Sequence, residues 1–495
     1  MKICLYLQRR FTFLGHEIAK QLKESYGVSD FCCYVQLKYA EKFIKEQKDI
    51  NYSTILCDTE LHAQADKEQV DWDYIKKFEK KYGVPNIWPY IGIDRSLTMS
   101  VPKYDYMNKP MCSYEKMLVY LQVKSKAIIE MLEKEKPDVV ILALVGSMPS
   151  MILYQLAKKM GIRTINIDDV RMEDYVTLSD NCFCNFTKVN ETFVKLQNGE
   201  AKTRYLQKAK EFIKKLDEKE IRYKWYSEKM KQQKTSPIKF LLLEMKGFIR
   251  HSINYYKNSK GDYGVQSPFW FFYNKLLRFG RRIRGYKRFY SEPDLDRDFV
   301  FFPLHHDPET ATMLLAPFNT DQLNLIRNIA KSLPGHFVLY VKEHPGMIYF
   351  RPNWYYKKLQ EIPNVKILDP NVSSIKLVKK AKLVTTVTGT AGLEAALLGK
   401  PVLTFGEVFY NTLSTVKRIK CIEDLPKIVK ETIENHKTDK QESENFVAAT
   451  FEHSQPINYN QLWEGMNFES GELEKMTTLF ATELNLKPAQ RRMPN

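Results

Sequence analysis

Residues 383–406 read Leu-Val-Thr-Thr-Val-Thr-Gly-Thr-Ala-Gly-Leu-Glu-Ala-Ala-Leu-Leu-Gly-Lys-Pro-Val-Leu-Thr-Phe-Gly. An apolar, β-branched run enters a Gly/Thr turn, the turn opens into an Ala/Leu/Glu helix, and the helix stops at Gly399 before a second apolar run. Strand, small-residue turn, helix, glycine stop and strand make a βαβ unit. The turn presents backbone N–H groups at a helix N-terminus, where a phosphate or nucleotide diphosphate is stabilised. This segment therefore predicts an α/β fold and an anionic ligand.

The same grammar extends in both directions. Upstream, strands are expected over 299–304, 337–342 and 365–368, with helices over 320–331 and 373–380. The first third reads alike: a strand over 2–8, a helix around 16–24, and a strand near 31–35. Another strand over 138–145, a helix over 150–160 and a strand over 161–167 follow. Alternation of this kind specifies mostly parallel sheets covered by helices on both faces. A chain of 495 residues exceeds one ordinary domain. We expect a first Rossmann-like domain over 1–189, a basic, aromatic helical insertion over 190–297, a second Rossmann-like domain over 298–440, and C-terminal helices with a frayed tail over 441–495.

The formal charge of +17 implies an acidic partner. Its source is local: residues 221–290 hold 17 Lys/Arg against Glu228, Glu244 and Asp262. Aromatics are interleaved, as in Phe269-Trp270-Phe271-Phe272-Tyr273. Either these are interdomain helices packing their own aromatics, or they contact an anionic membrane surface, where basic and aromatic residues are both favoured. Residues 190–232 read as solvent-washed helix. No nucleic-acid module surrounds the patch, so nucleic acid is not an expected partner. The run 139–157 is broken by Gly146, Ser147, Pro149 and Ser150, which fits a buried strand and helix better than a bilayer span. Eight cysteines without a CxxC pair suit a reducing cytoplasm and no zinc ribbon.

Ligands of open α/β sheets bind beyond the C-terminal strand ends. Three segments end there: 303–312 (Pro-Leu-His-His-Asp-Pro-Glu-Thr-Ala-Thr), 342–346 (Lys-Glu-His-Pro-Gly) and 388–392 (Thr-Gly-Thr-Ala-Gly). His344 suits a hydrogen bond to a donor phosphate oxygen, and Lys342 supplies positive charge. Thr388, Gly389 and Thr390 form the turn, and Glu394 suits ribose hydroxyls or simply the helix N-terminus. Asp307 and Glu309 are the candidate catalytic carboxylates, as base, nucleophile or electrostatic partner; turn chemistry is the alternative for Asp307-Pro308. His305 and His306 match no metal-ligand spacing, so no metal site is expected. In the first domain, Arg9, Arg10 and His16, and then Asp168, Asp169 and Arg171, follow strands. There they suit either an acceptor or ordinary caps and ion pairs.

Lys342-Glu-His-Pro345, Val387-Thr-Gly-Thr-Ala-Gly-Leu-Glu-Ala395, Gly399-Lys-Pro-Val402 and Phe405-Gly406 through Phe409-Tyr410 together resemble the bacterial capsule polysaccharide synthesis family, which includes the capsule Kdo transferases. The resemblance spans roughly 298–420. It implies a GT-B glycosyltransferase, with two Rossmann-like domains facing across a cleft and the donor nucleotide mainly on the second. The reaction would need no bound metal, and the nucleotide sugar (CMP-activated in some relatives) would be a co-substrate rather than a cofactor. The acceptor would be a glycan or glycolipid, reached from the inner face of the plasma membrane by a peripheral, cytoplasmic protein. His344 maps onto the phosphate-contacting histidine of those relatives. Where Kdo-transferring relatives tend to carry Gln, this chain has His305, a departure that leaves the donor open between CMP-Kdo and another nucleotide sugar. A UDP-sugar 2-epimerase-like enzyme and a non-catalytic assembly scaffold are the alternative readings.

Overall fold

A computed structural model describes residues 1–83, 85–100, 110–183, 185–218 and 236–489. Residues 219–235, the first part of the basic run, lie outside this set. The first sheet uses β1 (Lys2–Leu7), β2 (Asp30–Val35), β3 (Tyr52–Cys57), β4 (Val139–Leu142), β5 (Arg163–Asp169) and β6 (Tyr175–Ser179). The second uses β7 (Phe299–Pro303), β8 (Val338–Lys342), β9 (Val365–Leu368), β10 (Leu383–Thr386), β11 (Val402–Thr404) and β12 (Val416–Arg418). A two-residue strand, β13 (Gln455–Pro456), returns to pair antiparallel with β6.

The strand orders are β3-β2-β1-β4-β5-β6-β13 and β9-β8-β7-β10-β11-β12. All neighbours are parallel except β5–β6 and β6–β13. In each sheet the order reverses beside its first strand, between β1 and β4 and between β7 and β10. This is the dinucleotide-fold order, and the reversal leaves a crevice at the strand ends. Two such domains facing across a cleft constitute the GT-B fold.

Two helices pack the domains against each other. The short helix Thr310–Leu315 leaves the second domain and buries Leu314 and Leu315 in the first domain's core beside Ile91, Leu97 and Met148. Gly146, just past β4, meets it so closely that a Cβ there would lie 2.6 Å from the Thr310 methyl. The last helix, Gly471–Glu483, crosses back and buries Leu473, Met476 and Phe480 among Leu14, Ile18 and Leu22 of the first helix, Phe11–Tyr26. Each such side chain contributes about 1.5–3 kcal/mol when fully buried.

The middle region departs from expectation in one respect. Helices Thr187–Gln197 and Leu206–Glu218 are not solvent-washed: Val189, Phe193, Ala209, Phe212, Ile213 and Leu216 pack with Phe446 and Phe451 of helix Lys440–Glu452 in the second domain's core. Their apolar residues recur every three or four positions, and the charged residues between them hide that stripe in a compositional reading. Beyond them, helices Pro237–Asn254 and Pro268–Arg284 pair through the Lys275–Glu244 ion pair and through Phe248 against Phe271 and Phe272. The loop joining them clamps the first domain. Tyr263 donates to the buried Asp58 at 2.5 Å, Lys124 donates to the Tyr263 hydroxyl at 2.9 Å, and Asp262 accepts from the Lys38 amide at 3.0 Å. At the other end, Arg281 donates to the carbonyls of Tyr349 (3.0 Å) and Phe350 in the second domain.

Gly146→Val should lower the unfolding free energy by about 1–3 kcal/mol through overpacking against Thr310. Pairing Gly146→Ala with Thr310→Ala should recover part of what Gly146→Ala alone costs. Urea unfolding of the variants checks both.

Candidate functional site

β7 and β10 flank the reversal of the second sheet, and β8 adjoins β7. Their exits place the 303–312 loop, the 388–392 turn and the 342–346 loop around one cavity of about 420 Å³. His305, His306, Glu309, Lys342, His344, Thr388, Gly389, Thr390 and Glu394 all line it. Asp307 is not among the lining residues. Asp169 and Arg171 enter from the first domain and Asn460 from the returning C-terminal segment, so the cavity lies between domains.

The loops are held by a buried ion pair. Arg351 and Glu343 are both essentially inaccessible. One guanidinium nitrogen of Arg351 bonds the Glu343 carboxylate, and the other donates to the His305 carbonyl at 2.5 Å. Tyr356 donates to the second Glu343 oxygen at 2.6 Å, and the His344 amide donates to the first at 2.5 Å. Burial raises the Glu343 carboxyl, opposed by Arg351, Tyr356 and the His344 amide. One carboxylate and one guanidinium thereby set both histidine loops.

The turn differs from the expected open amide cradle. The Thr388 N–H donates to His305 Nε2 at 3.1 Å, and the Gly389 N–H donates to Thr386 Oγ1 at 3.0 Å. Those two donors are consumed internally, because a buried N–H left unpaired is costly. The amides next in line are those of Thr390 and Ala391, in the first turn of helix Thr390–Leu397, where no intrahelical partner exists. Gly389 is required sterically, since a Cβ would fall 2.7 Å from Thr386 Oγ1 and 3.1 Å from His305 Nε2. Its carbonyl accepts from Tyr410 at 2.6 Å.

His305 is thus a structural acceptor. Burial, then the charges of Arg171 and Arg351, lower its pKa to about 3, so the ring is neutral at neutral pH. His344 accepts from the Gly346 N–H through Nδ1 at 3.1 Å, which places the proton of its neutral ring on Nε2. His306 stands perpendicular to it at 5.9 Å. Lys342 is buried and donates to Ser374 Oγ at 2.5 Å.

Across the cavity, Arg171 adopts a left-handed backbone (φ 59°) and donates through its side chain to the Thr388 carbonyl at 2.6 Å. Its amide donates to Asp169 at 2.7 Å. Burial raises Glu309 above the ordinary glutamate range, against the pull of Arg171 and Arg95. Arg95, also from the first domain, donates to the Pro308 carbonyl at 3.0 Å. Glu309 is therefore a carboxyl with elevated proton affinity, flanked by two arginines of the opposite domain.

Of the other first-domain candidates, His16 is buried against Tyr52 and Asp49 at 3.1 Å each, Arg10 pairs with Glu464, and Asp168 accepts from Ser179. None of them lines the cavity. Sequence reasoning missed the roles of Glu343, Arg351 and Arg95. Glu343 stands inside the His-Pro motif, which is the one available signal. Arg351 and Arg95 carry no local pattern.

Comparison with known proteins concentrates on this domain. Residues 291–416 match the model of a family described as "Capsule polysaccharide biosynthesis protein". The resemblance carried by the His-Pro and Gly-Thr motifs is borne out over that stretch. Protein FixF of Sinorhizobium fredii (strain NBRC 101917 / NGR234) is 33% identical over 142 residues, which are 27% of this chain and 33% of FixF. The chain thus spans about a third of the length of this curated relative. Among solved structures, the Thermosulfurimonas dismutans KpsC beta Kdo 2,7 transferase aligns with TM-score 0.36 and 12% identity, covering 72% of this chain and 89% of that one. UDP-GlcNAc 2-epimerase from Methanocaldococcus jannaschii aligns with TM-score 0.27 and 12% identity, covering 91% and 98%.

Arg351→Met should lower stability by about 3–5 kcal/mol, because it leaves Glu343 buried and unpaired. Adding Glu343→Gln should restore part of that loss in urea titrations. The His305 ring binds its proton in the unfolded chain near pH 6.5 but in the folded chain only near 3. The unfolded state therefore holds more protons between these values, and stability falls as pH drops through that window. His305→Gln should flatten the slope by up to about 1.4 kcal/mol per pH unit, measured as unfolding free energy against pH.

Proposed function

We propose that the chain is a glycosyltransferase of capsule or other surface-polysaccharide synthesis. It moves a sugar from a nucleotide-activated donor to a glycan or lipid-linked acceptor. The observation that carries this reading is the convergence of His344, Lys342, Thr390, Glu394 and Glu309 on one interdomain cavity at the sheet reversal. The family match over 291–416 supports the pathway.

The donor phosphate would meet His344 Nε2–H, the Thr390 and Ala391 amides at the helix start, and the positive field of Lys342. Glu394, one turn into that helix, suits the ribose hydroxyls. As the bond between sugar and phosphate breaks, negative charge grows on the leaving phosphate, where these donors already sit. Glu309 faces them with a raised proton affinity that suits proton exchange with the attacking hydroxyl or stabilisation of a cationic sugar centre. The donor acts as co-substrate, with no further cofactor. The acceptor approaches from the first domain, past Arg171 and Arg95. We place the protein at the cytoplasmic face of the membrane, where lipid-linked acceptors would be met.

A thermal-shift panel of CMP, UDP, GDP and dTDP tests the donor site. The preferred nucleotide should stabilise the fold by about 2.7 kcal/mol at a hundred times its Kd. His344→Ala should abolish the shift and Glu309→Gln should retain it. Glu309→Gln should also cut sugar transfer by about 10²–10⁴-fold. No shift with any nucleotide at millimolar concentration, or full glycan production by Glu309→Gln cells, would overturn the reading.

A further inference from the structure

Among the described residues, twenty-one large apolar side chains are exposed, and twelve of them lie between Leu242 and Ile283. In helix Pro237–Asn254 they form a stripe, Leu242, Met245, Ile249 and Ile253, at spacings of three and four. In helix Pro268–Arg284, Phe269, Phe272, Leu276 and Ile283 repeat the pattern. A soluble surface helix ordinarily turns such a stripe inward. Here the inner seam is already occupied by Phe248, Phe271 and the Lys275–Glu244 pair, so the stripes are additional to it. The first stripe lines an open groove of about 690 Å³, edged by Lys246, Arg250 and Lys257.

Charge distinguishes what covers this face. Residues 236–290 carry twelve Lys/Arg and only Glu244 and Asp262 as acids. Both acids are occupied, one by Lys275 and the other by the Lys38 and Gly264 amides. Lys246, Arg250, Lys257 and Lys260 are exposed. A second copy of this surface would oppose like charges, whereas an anionic bilayer supplies apolar depth and negative headgroups together. No helix among the described residues is long and apolar enough to cross a membrane.

We propose that the hairpin 237–284 is a docking surface for an anionic lipid bilayer, lying in the interface with its apolar stripes inserted and Lys246, Arg250 and Lys257 on the headgroups. The proposal gives the membrane location assumed above a defined surface, but it does not depend on the cavity's chemistry. The hairpin's clamps on Asp58 and on the Tyr349 and Phe350 carbonyls orient the cleft relative to that surface.

The test uses the full chain with sedimented unilamellar vesicles, either of phosphatidylcholine alone or with a third phosphatidylglycerol. The parent protein should bind the phosphatidylglycerol vesicles at least about tenfold more tightly than phosphatidylcholine, since each basic residue at an anionic leaflet is worth about fivefold in affinity. Binding should weaken at about 0.5 M salt. Ile249→Glu with Ile253→Glu should reduce binding at least tenfold. Arg250→Glu with Lys257→Glu should do the same and also reduce the salt dependence. All four positions are exposed, so melting temperatures and nucleotide-induced shifts should stay unchanged. Equal vesicle binding by parent and variants would overturn the proposal. So would a parent that ignores vesicles and forms a dimer that the variants convert to monomer. Because the readout needs no nucleotide, its failure is separable from failure of the transferase reading.

Discussion

The arrangement of the cleft depends on one buried charge pair. Two histidine loops leave neighbouring strands of a parallel sheet, and loops at strand ends have no ladder to position them. Glu343 and Arg351 perform that task by accepting from the His344 amide on one side and donating to the His305 carbonyl on the other. A hydrophobic pair could fill the same volume, and often with more stability, but it could not specify two backbone positions at once. His305 then passes the constraint onward by accepting from the Thr388 amide, so the ends of β7, β8 and β10 are tied together.

The same economy joins the domains. Arg171 reaches from the first domain to the Thr388 carbonyl, and Arg95 reaches to the Pro308 carbonyl. Both also pull against the burial that raises Glu309. The proton affinity of that carboxyl is therefore tied to how closely the domains approach. An arrangement with the domains parted would take both arginines away from that carboxyl and hydrate it.

Much of this was legible in the sequence because α/β sheets write themselves locally. The strand over 365–368 coincides with β9, and the other strands expected in the second domain fall within a residue or so of those observed. The three ligand-edge segments also converge as their strand ends require, although Asp307 is not among the lining residues. What could not be read is of two kinds. Helix Tyr114–Glu135 buries Gln122, Lys124 and Ser125, and β3 carries Ser53 and Thr54, so the apolar periodicity of both is diluted. Arg95 acts on a partner 213 residues away, and Arg351 joins partners 8 and 46 residues away, so no spacing rule announces either. The opening turn likewise announced a helix N-terminus, but not that two of its amides would be taken by His305 and Thr386.

The hairpin's attachment has a consequence for how the chain divides into parts. Arg281 is bound to the carbonyls of Tyr349 and Phe350, the two residues immediately before Arg351. At its other end, Tyr263 completes the hydrogen bonding of Asp58 inside the first domain. The insertion is thus not modular, although it looks like a detachable element in sequence. Excising it would unseat the turn that carries the guanidinium beneath both histidines. It would also remove the Tyr263 hydrogen bond from Asp58, leaving that buried carboxylate with Tyr34 and Lys124 alone.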